Sequence, residues 1–215
     1  MDSTVSFDAP PDNTSKRPAE VRPVKNGGER PSFDELFAPA PFKSEAISEV
    51  NNIGQISRMT LPVDFESGQQ SNGTVGASSR REFRSAKDPD FKILLEYRGT
   101  QVSDSSAAKF KDVLTAPAHN LSAAELNDMR EILKQKADSS LFAISKAATY
   151  DIDGKRVLAV EGKYPEHDVV TMTLYLDAAS NGAVVQEVTL QGSSGSFIRH
   201  RSAGMAALES IKWKK

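Results

Sequence analysis

The stretch VVTMTLYLDAASNGAVVQEVTLQG, Val169–Gly192, decides the fold. Val170, Met172, Leu174 and Leu176 alternate with Thr171, Thr173 and Tyr175. That period of two is the mark of a strand with one apolar face. Asn181–Gly182 is a hairpin signal, and beyond it Val184, Gln186, Val188 and Leu190 alternate with Val185, Glu187 and Thr189. Strands joined by a hairpin run antiparallel.

The same pattern extends upstream. Ala143–Tyr150 and Arg156–Tyr164 flank Asp153–Gly154, a second hairpin signal, so the region reads as a three- or four-stranded meander. Downstream, GSSGS (192–196) leads into a closing helix with Phe197, Arg201, Gly204, Met205, Leu208 and Ile211 roughly on one side. Lys212, Lys214 and Lys215 then suit the negative carboxyl end of that helix.

Two helices precede the meander. Ser103 or Asp104 caps the first, whose stripe is Ala107, Phe110, Val113 and Leu114, and Pro117 closes it. The second opens with a capping box, Ser122 and Glu125, and with Leu121 and Leu126 at the positions of a hydrophobic staple. Leu126, Met129, Ile132 and Leu133 form its buried stripe, which leaves Asp128, Arg130, Glu131, Lys134 and Lys136 to face water. Further upstream, Phe91, Ile93, Leu95 and Tyr97 mark a strand, Glu82–Ala86 a short one, and Ile56, Met59 and Leu61 a first one ending at Pro62. DFESG (64–68) reads as a turn and Ser67–Arg81, rich in Gly, Ser, Gln and Asn, as a long loop. Grouped strands and grouped helices predict an α+β domain over 52–215, an antiparallel β-sheet flanked by helices.

Residues 1–51 read as a disordered tail. Seven of the 11 prolines lie in residues 1–50, and beyond Met1 residues 1–30 carry only Val5, Phe7, Val21 and Val24 as sizeable apolar groups. Too little apolar area is available there to offset the cost of ordering the chain. A short helical motif near 32–38 differs from the rest. Ser32 and Glu35 have capping-box spacing, Phe33, Leu36 and Phe37 share a face, and Pro39 and Pro41 end it. So short a helix needs a surface. Phe33, Leu36 and Phe37 are therefore candidate partner-binding residues, docking on their own domain or in the groove of another protein, the remaining alternative being no fixed contact at all.

ISRMTLPVDF (Ile56–Phe65), GKRVLAVEGKY (Gly154–Tyr164), the meander and MAALESIKWKK at the end together resemble the Mog1/PsbP/DcrB-like fold. The Leu61–Pro62 and Ser210–Ile211 dipeptides fit the first strand and last helix of that pattern, and the resemblance covers about residues 53–215. It implies a six- or seven-stranded antiparallel sheet with helices on both faces, the Mog1/PsbP-like sandwich. Members include a small-GTPase-binding factor, a photosystem extrinsic subunit and secretion-effector chaperones, so it implies a binding protein rather than an enzyme.

The residues exclude several chemistries. The chain has no cysteine, hence no disulfide, thiolate metal site or cysteine nucleophile. Its 27 basic and 29 acidic residues are balanced, which argues against a nucleic-acid partner. No apolar run reaches the ~20 residues of a membrane span. The first residues lack the basic-then-apolar order of a secretory signal, so a cytoplasmic location is expected. His119, His167 and His200 are not at metal-ligand spacing. Glu166, His167 and Asp168 read as a solvated turn, and Asp151–Gly154 as a hairpin rather than a calcium loop. His200, between Arg199 and Arg201 and after GSSGS, is either an anion-contact cluster or a polar helix face. Trp213 reads as a core or edge plug.

No catalytic, cofactor-binding or metal-binding residue is assigned. The expectation is a non-catalytic protein-binding module, an adaptor or a chaperone with an exposed apolar groove. The alternatives are an enzyme without a recognisable motif, its carboxylates drawn from Glu161, Asp168 and Glu187, or a structural subunit of a larger assembly.

Overall fold

The computed structural model describes residues 48–62, 64–72, 79–100 and 102–214. Most of the tail, with Phe33, Leu36 and Phe37, lies outside the described residues.

Among the described residues ten strands form two antiparallel sheets. The small sheet has the order β1–β2–β10, from Ser48–Ile53, Ile56–Leu61 and Lys212–Trp213. The large sheet has the order β3–β4–β5–β9–β8–β7–β6. Its strands are β3 (Phe65–Asn72), β4 (Ser79–Ser85), β5 (Lys92–Thr100), β6 (Ala143–Ile152), β7 (Lys155–Tyr164), β8 (Val169–Asp177) and β9 (Val184–Ser193). Helices α1 (Asp104–Thr115), α2 (Ala123–Asp128) and α3 (Arg130–Leu133) lie between β5 and β6, and α4 (Ser194–Glu209) follows β9. The fold is thus α+β, as the grouping of strands and helices predicts.

Both faces of the large sheet carry a core. On one face Ile93, Leu95, Ala159, Met172, Leu174, Val188 and Leu190 pack with Phe197, Met205 and Leu208 of α4 and with Ile56, Met59 and Trp213 of the small sheet. On the other, Leu158, Val160, Tyr175 and Val185 pack with Phe110 and Val113 of α1 and with Met129, Ile132 and Leu133. Gln186, on the first face, is buried and joins the two sheets: its Nε2 donates to the Ile53 carbonyl at 3.0 Å and its Oε1 accepts from Gln55 N at 2.6 Å.

The hairpins follow the turn chemistry. Asp153 (φ 47°) and Gly154 (φ 77°) both take the left-handed conformation that a two-residue hairpin needs. Gly182 (φ 78°) does so against α1, where a Cβ would lie 1.9 Å from the Ala107 carbonyl oxygen.

Several expectations are corrected. β1 begins at Ser48, inside the segment assigned to the tail. DFESG is no turn, because Phe65 starts β3, and the long loop is largely strand: β3 runs to Asn72 and β4 begins at Ser79. β3 is the edge strand of the large sheet and is defined by its pairing with β4. The second helix breaks at Met129 and ends in a 3-10 turn, Lys134–Ala137, with Lys134 at φ 54°. The last helix stops at Glu209, and Lys212–Trp213 pairs with β2 instead of capping it. Trp213 is a buried plug, its Nε1 donating to the Ile152 carbonyl at 2.6 Å.

The capping box of α2 is formed. Glu125 N donates to Ser122 Oγ at 3.2 Å, and Ser122 N donates to Glu125 Oε2 at 2.7 Å. Ser122→Ala should cost about 1 kcal/mol. In urea unfolding it is expected to lower the midpoint and leave the slope unchanged.

Candidate functional site

The fold brings three polar rows together on the face of the large sheet that carries α1–α3. Register places Glu96 opposite Glu187 and Glu187 opposite Tyr175, Leu94 opposite Thr189 and Thr189 opposite Thr173, and Gln191 opposite Thr171. These side chains belong to central strands. Helices α1–α3 cover only part of this face, and where their cover ends the 3-10 turn 134–137 overhangs the rows. The result is a cavity of about 360 Å³, with Arg80, Arg98, Lys134, Lys136, Tyr164 and Tyr175 among its lining residues.

Lys136 is the decisive side chain. Sequence periodicity assigns it to water, yet it is only 9% exposed. The break at Met129 and the tight turn after Leu133 rotate it onto the sheet. Its Nζ donates to Thr173 Oγ1 at 2.5 Å and to the Tyr175 hydroxyl at 3.4 Å, and lies 5.5 Å from the Tyr175 ring centroid. Burial lowers its pKa from 10.5 to about 8, with Glu187 acting in the opposite sense. Beside it Arg98, 3% exposed, is paired with Glu187 and donates from Nη2 to the Ile132 carbonyl at 2.8 Å. That bond ties the sheet to α3. Burial raises the pKa of Tyr164, and that of Tyr175 further, so both phenols keep their protons at neutral pH.

Thr173 and Thr189 are hydrogen-bonded to each other at 2.9 Å. Thr171 is different. It is 2% exposed, and its Oγ1 is the one buried side-chain polar atom among the described residues without a hydrogen-bond partner. Its neighbour across β7 is Gly162, which has no side chain to answer it.

The carboxylates named from sequence do not converge. Glu187 lines the cavity, whereas Glu161 is bound on the α4 side by Arg201 through bonds of 2.6 and 2.8 Å. Asp168 is held by Lys163 at 2.7 Å and Ser194 at 2.6 Å. The His200 region is occupied by the chain's own anion. Asp88 accepts from Arg199 at 2.7 Å and Ser196 at 2.9 Å, and lies 3.2 Å from His200 Nε2. Here serine and histidine both address the aspartate, not each other, so no nucleophile–base pair exists. His119 contacts Glu125 at 2.9 Å; the hydrogen bonds from Ser122, and after them that contact, lower the Glu125 pKa to about 2. Among the described residues no three His, Asp or Glu side chains converge as metal ligands.

Sequence reasoning missed Lys136, Arg98 and Thr171. The available signal was the pair of polar faces on adjacent strands, Thr171–Thr173–Tyr175 and Glu187–Thr189–Gln191. The hairpin at Asn181–Gly182 sets them side by side.

This topology can be compared with solved structures. A solution structure of cyanobacterial PsbP (CyanoP) from Synechocystis sp. PCC 6803 superposes with a TM-score of 0.51 at 12% identity, covering 81% of this chain and 96% of that one. The fold is PsbP-like. A Pseudomonas aeruginosa protein of unknown function gives a TM-score of 0.44 at 13% identity, covering 80% of this chain and 99% of that chain. No family model and no curated protein matches the chain. On the PsbP-like scaffold, no described helix is long and apolar enough to cross a membrane.

Proposed function

We propose that the chain is a non-catalytic protein-binding module whose recognition point is the polar cavity under the 134–137 turn. The observation that carries this is the cavity's composition. Four cations, Arg80, Arg98, Lys134 and Lys136, face two carboxylates, Glu96 and Glu187, and one buried hydroxyl has no partner. The excess of positive charge and the unused donor favour an anionic group brought by a partner. Next to the cavity, β4 and β5 present Arg84, Lys92, Arg80 and Glu96, a charged platform suited to a polar protein surface.

The chaperone version loses support. Its clients would need an apolar groove, and the exposed large apolar residues among those described are only Leu141 (46%) and Ile198 (77%). The catalytic reading draws on one contact, Lys136 Nζ to Thr173 Oγ1, which has the form of a base beside a nucleophile. Thr173 is not among the residues lining the cavity, and its hydroxyl is already engaged by both Lys136 and Thr189, which leaves it no free position for a substrate.

The test is affinity capture from the native cell with three full-length baits: the unaltered chain, Lys136→Met, and a Phe33, Leu36 and Phe37 triple-alanine variant. A protein retained by the unaltered chain and lost with Lys136→Met is the expected result. Loss with the triple variant alone would move recognition to the tail motif. Retention by all three, or by none, would contradict the cavity as the recognition point.

A further inference from the structure

Resting on that reading of the cavity as the recognition point, we infer that the group it takes is a carboxylate, held between the Lys136 ammonium and the Thr171 hydroxyl. Three observations converge on this. The cavity's volume of about 360 Å³ is at the lower end for small-ligand pockets. Lys136 lines it and, among the described residues, has no carboxylate within ion-pair distance; its hydrogen bonds go to the neutral hydroxyls of Thr173 and Tyr175. Thr171 lines it too, and its Oγ1 is buried without a partner. A valine would fill the same space without an orphaned hydroxyl, so the free Thr171 hydroxyl points to a hydrogen-bonding ligand.

The spacing suits the group. Thr171 and Thr173 are two residues apart on one face of β8, ~7 Å along the strand, and Lys136 Nζ sits on Thr173. Two charge-assisted hydrogen bonds of about 2.8 Å, one at each oxygen of a carboxylate, span that gap. The charge suits it as well. A single negative charge neutralises the buried ammonium, and the protonated phenols of Tyr164 and Tyr175 add neutral donors. A phosphate dianion carries three acceptor oxygens and a second charge, more than the Lys136 ammonium and the Thr171 hydroxyl answer, and the buried Arg98 guanidinium is already taken by Glu187. A neutral amide would leave the ammonium uncompensated.

Two sources carry this chemistry, a free small carboxylate and the carboxylate of a protein chain, and one titration separates them. Amide spectra of the ¹⁵N-labelled full chain are recorded at constant ionic strength with acetate, acetamide, inorganic phosphate, and a short peptide ending in a free carboxylate or in an amide. Acetate and the free-carboxylate peptide should shift the amides of Thr171–Tyr175 and Thr189–Gln191 saturably. Acetamide, the amidated peptide and phosphate should bind at least tenfold more weakly. Thr171→Val and Lys136→Met should each weaken carboxylate binding tenfold or more; the first keeps shape and charge, so it decides the matter if the second misfolds. Absence of a saturable shift, equal binding of amide, tighter binding of phosphate, or an unaffected Thr171→Val variant would overturn the inference. If acetate binds and the peptide does not, carboxylate recognition stands and the protein-partner reading falls. If no carboxylate binds while capture still depends on Lys136, the inference alone falls.

Discussion

Folding stability should rise by about 3 kcal/mol between pH 8 and pH 10.5 through Lys136 alone. In the folded chain its pKa is about 8, against 10.5 for an ordinary lysine, and burial is the largest cause. Below pH 8 the ammonium is charged in both states and the folded state bears the whole desolvation cost. Between the two values the unfolded chain still holds the proton and the folded chain has lost it, so stability increases with pH. Tyr164 and Tyr175 act in the opposite sense. Their raised pKa values mean that the unfolded chain loses their protons first, so above about pH 10 they turn the curve down. Denaturant unfolding at pH 7, 8, 9 and 10 should show a rising limb. Lys136→Met should abolish that limb and be more stable than the unaltered chain at pH 7, because a buried charge without a charged partner is replaced by a side chain of similar volume. A flat profile in the unaltered chain, or the same slope in the variant, would contradict the burial of Lys136. The cost also bears on function: a lysine retained at the expense of stability fits a side chain kept for binding.

Phe91→Ala should cost about 3–5 kcal/mol, the range for truncating a buried phenylalanine. The ring is fully buried and meets Phe65 edge-on at 5.9 Å, Phe197 at 6.2 Å and the stacked His200 ring at 5.2 Å. Two glycines make room for it: a Cβ on Gly204 would lie 3.0 Å from Phe91 Cζ, and one on Gly192 would lie 3.3 Å from Cδ2. The ring therefore fixes α4 against the sheet. A partly coupled result is expected with Gly204→Ala, which should cost somewhat less in the Phe91→Ala background than alone: the ring no longer meets its methyl, whereas Leu190 Cδ1, 2.9 Å from that Cβ, does so in both. Additive free energies from denaturant unfolding would count against this packing.

The parts of the fold legible in the sequence are those where one local signal fixes the geometry. The alternation in Val170–Leu176, the turn residues Asp153–Gly154 and the Ser122–Glu125 box each specify an element without help from distant residues. β1 and β3 were not legible because their polar residues give no apolar period, and what makes them strands is pairing with β2 and β4. Lys212–Trp213 became a strand for the same reason, through β2. The cavity depends on placement even more. Lys136 is buried because the helix breaks at Met129 and turns over the sheet, and Thr171 stands between Gly162 on β7, which has no side chain, and Gln191 on β9. Neither relation can be read from spacing along the chain. Glu187 shows the intermediate case: its type flagged it, and its partner Arg98, 89 residues away, came only with the fold.

The measurement that tests the account most directly is an NMR titration of the Lys136 side chain, read at its ¹³Cε, with and without acetate. The predicted result is a pKa of about 8 in the chain alone, moving upward when acetate occupies the cavity, because a bound carboxylate favours the ammonium. A value near 10.5 that acetate leaves unchanged would contradict both the buried lysine and the carboxylate-binding cavity built around it.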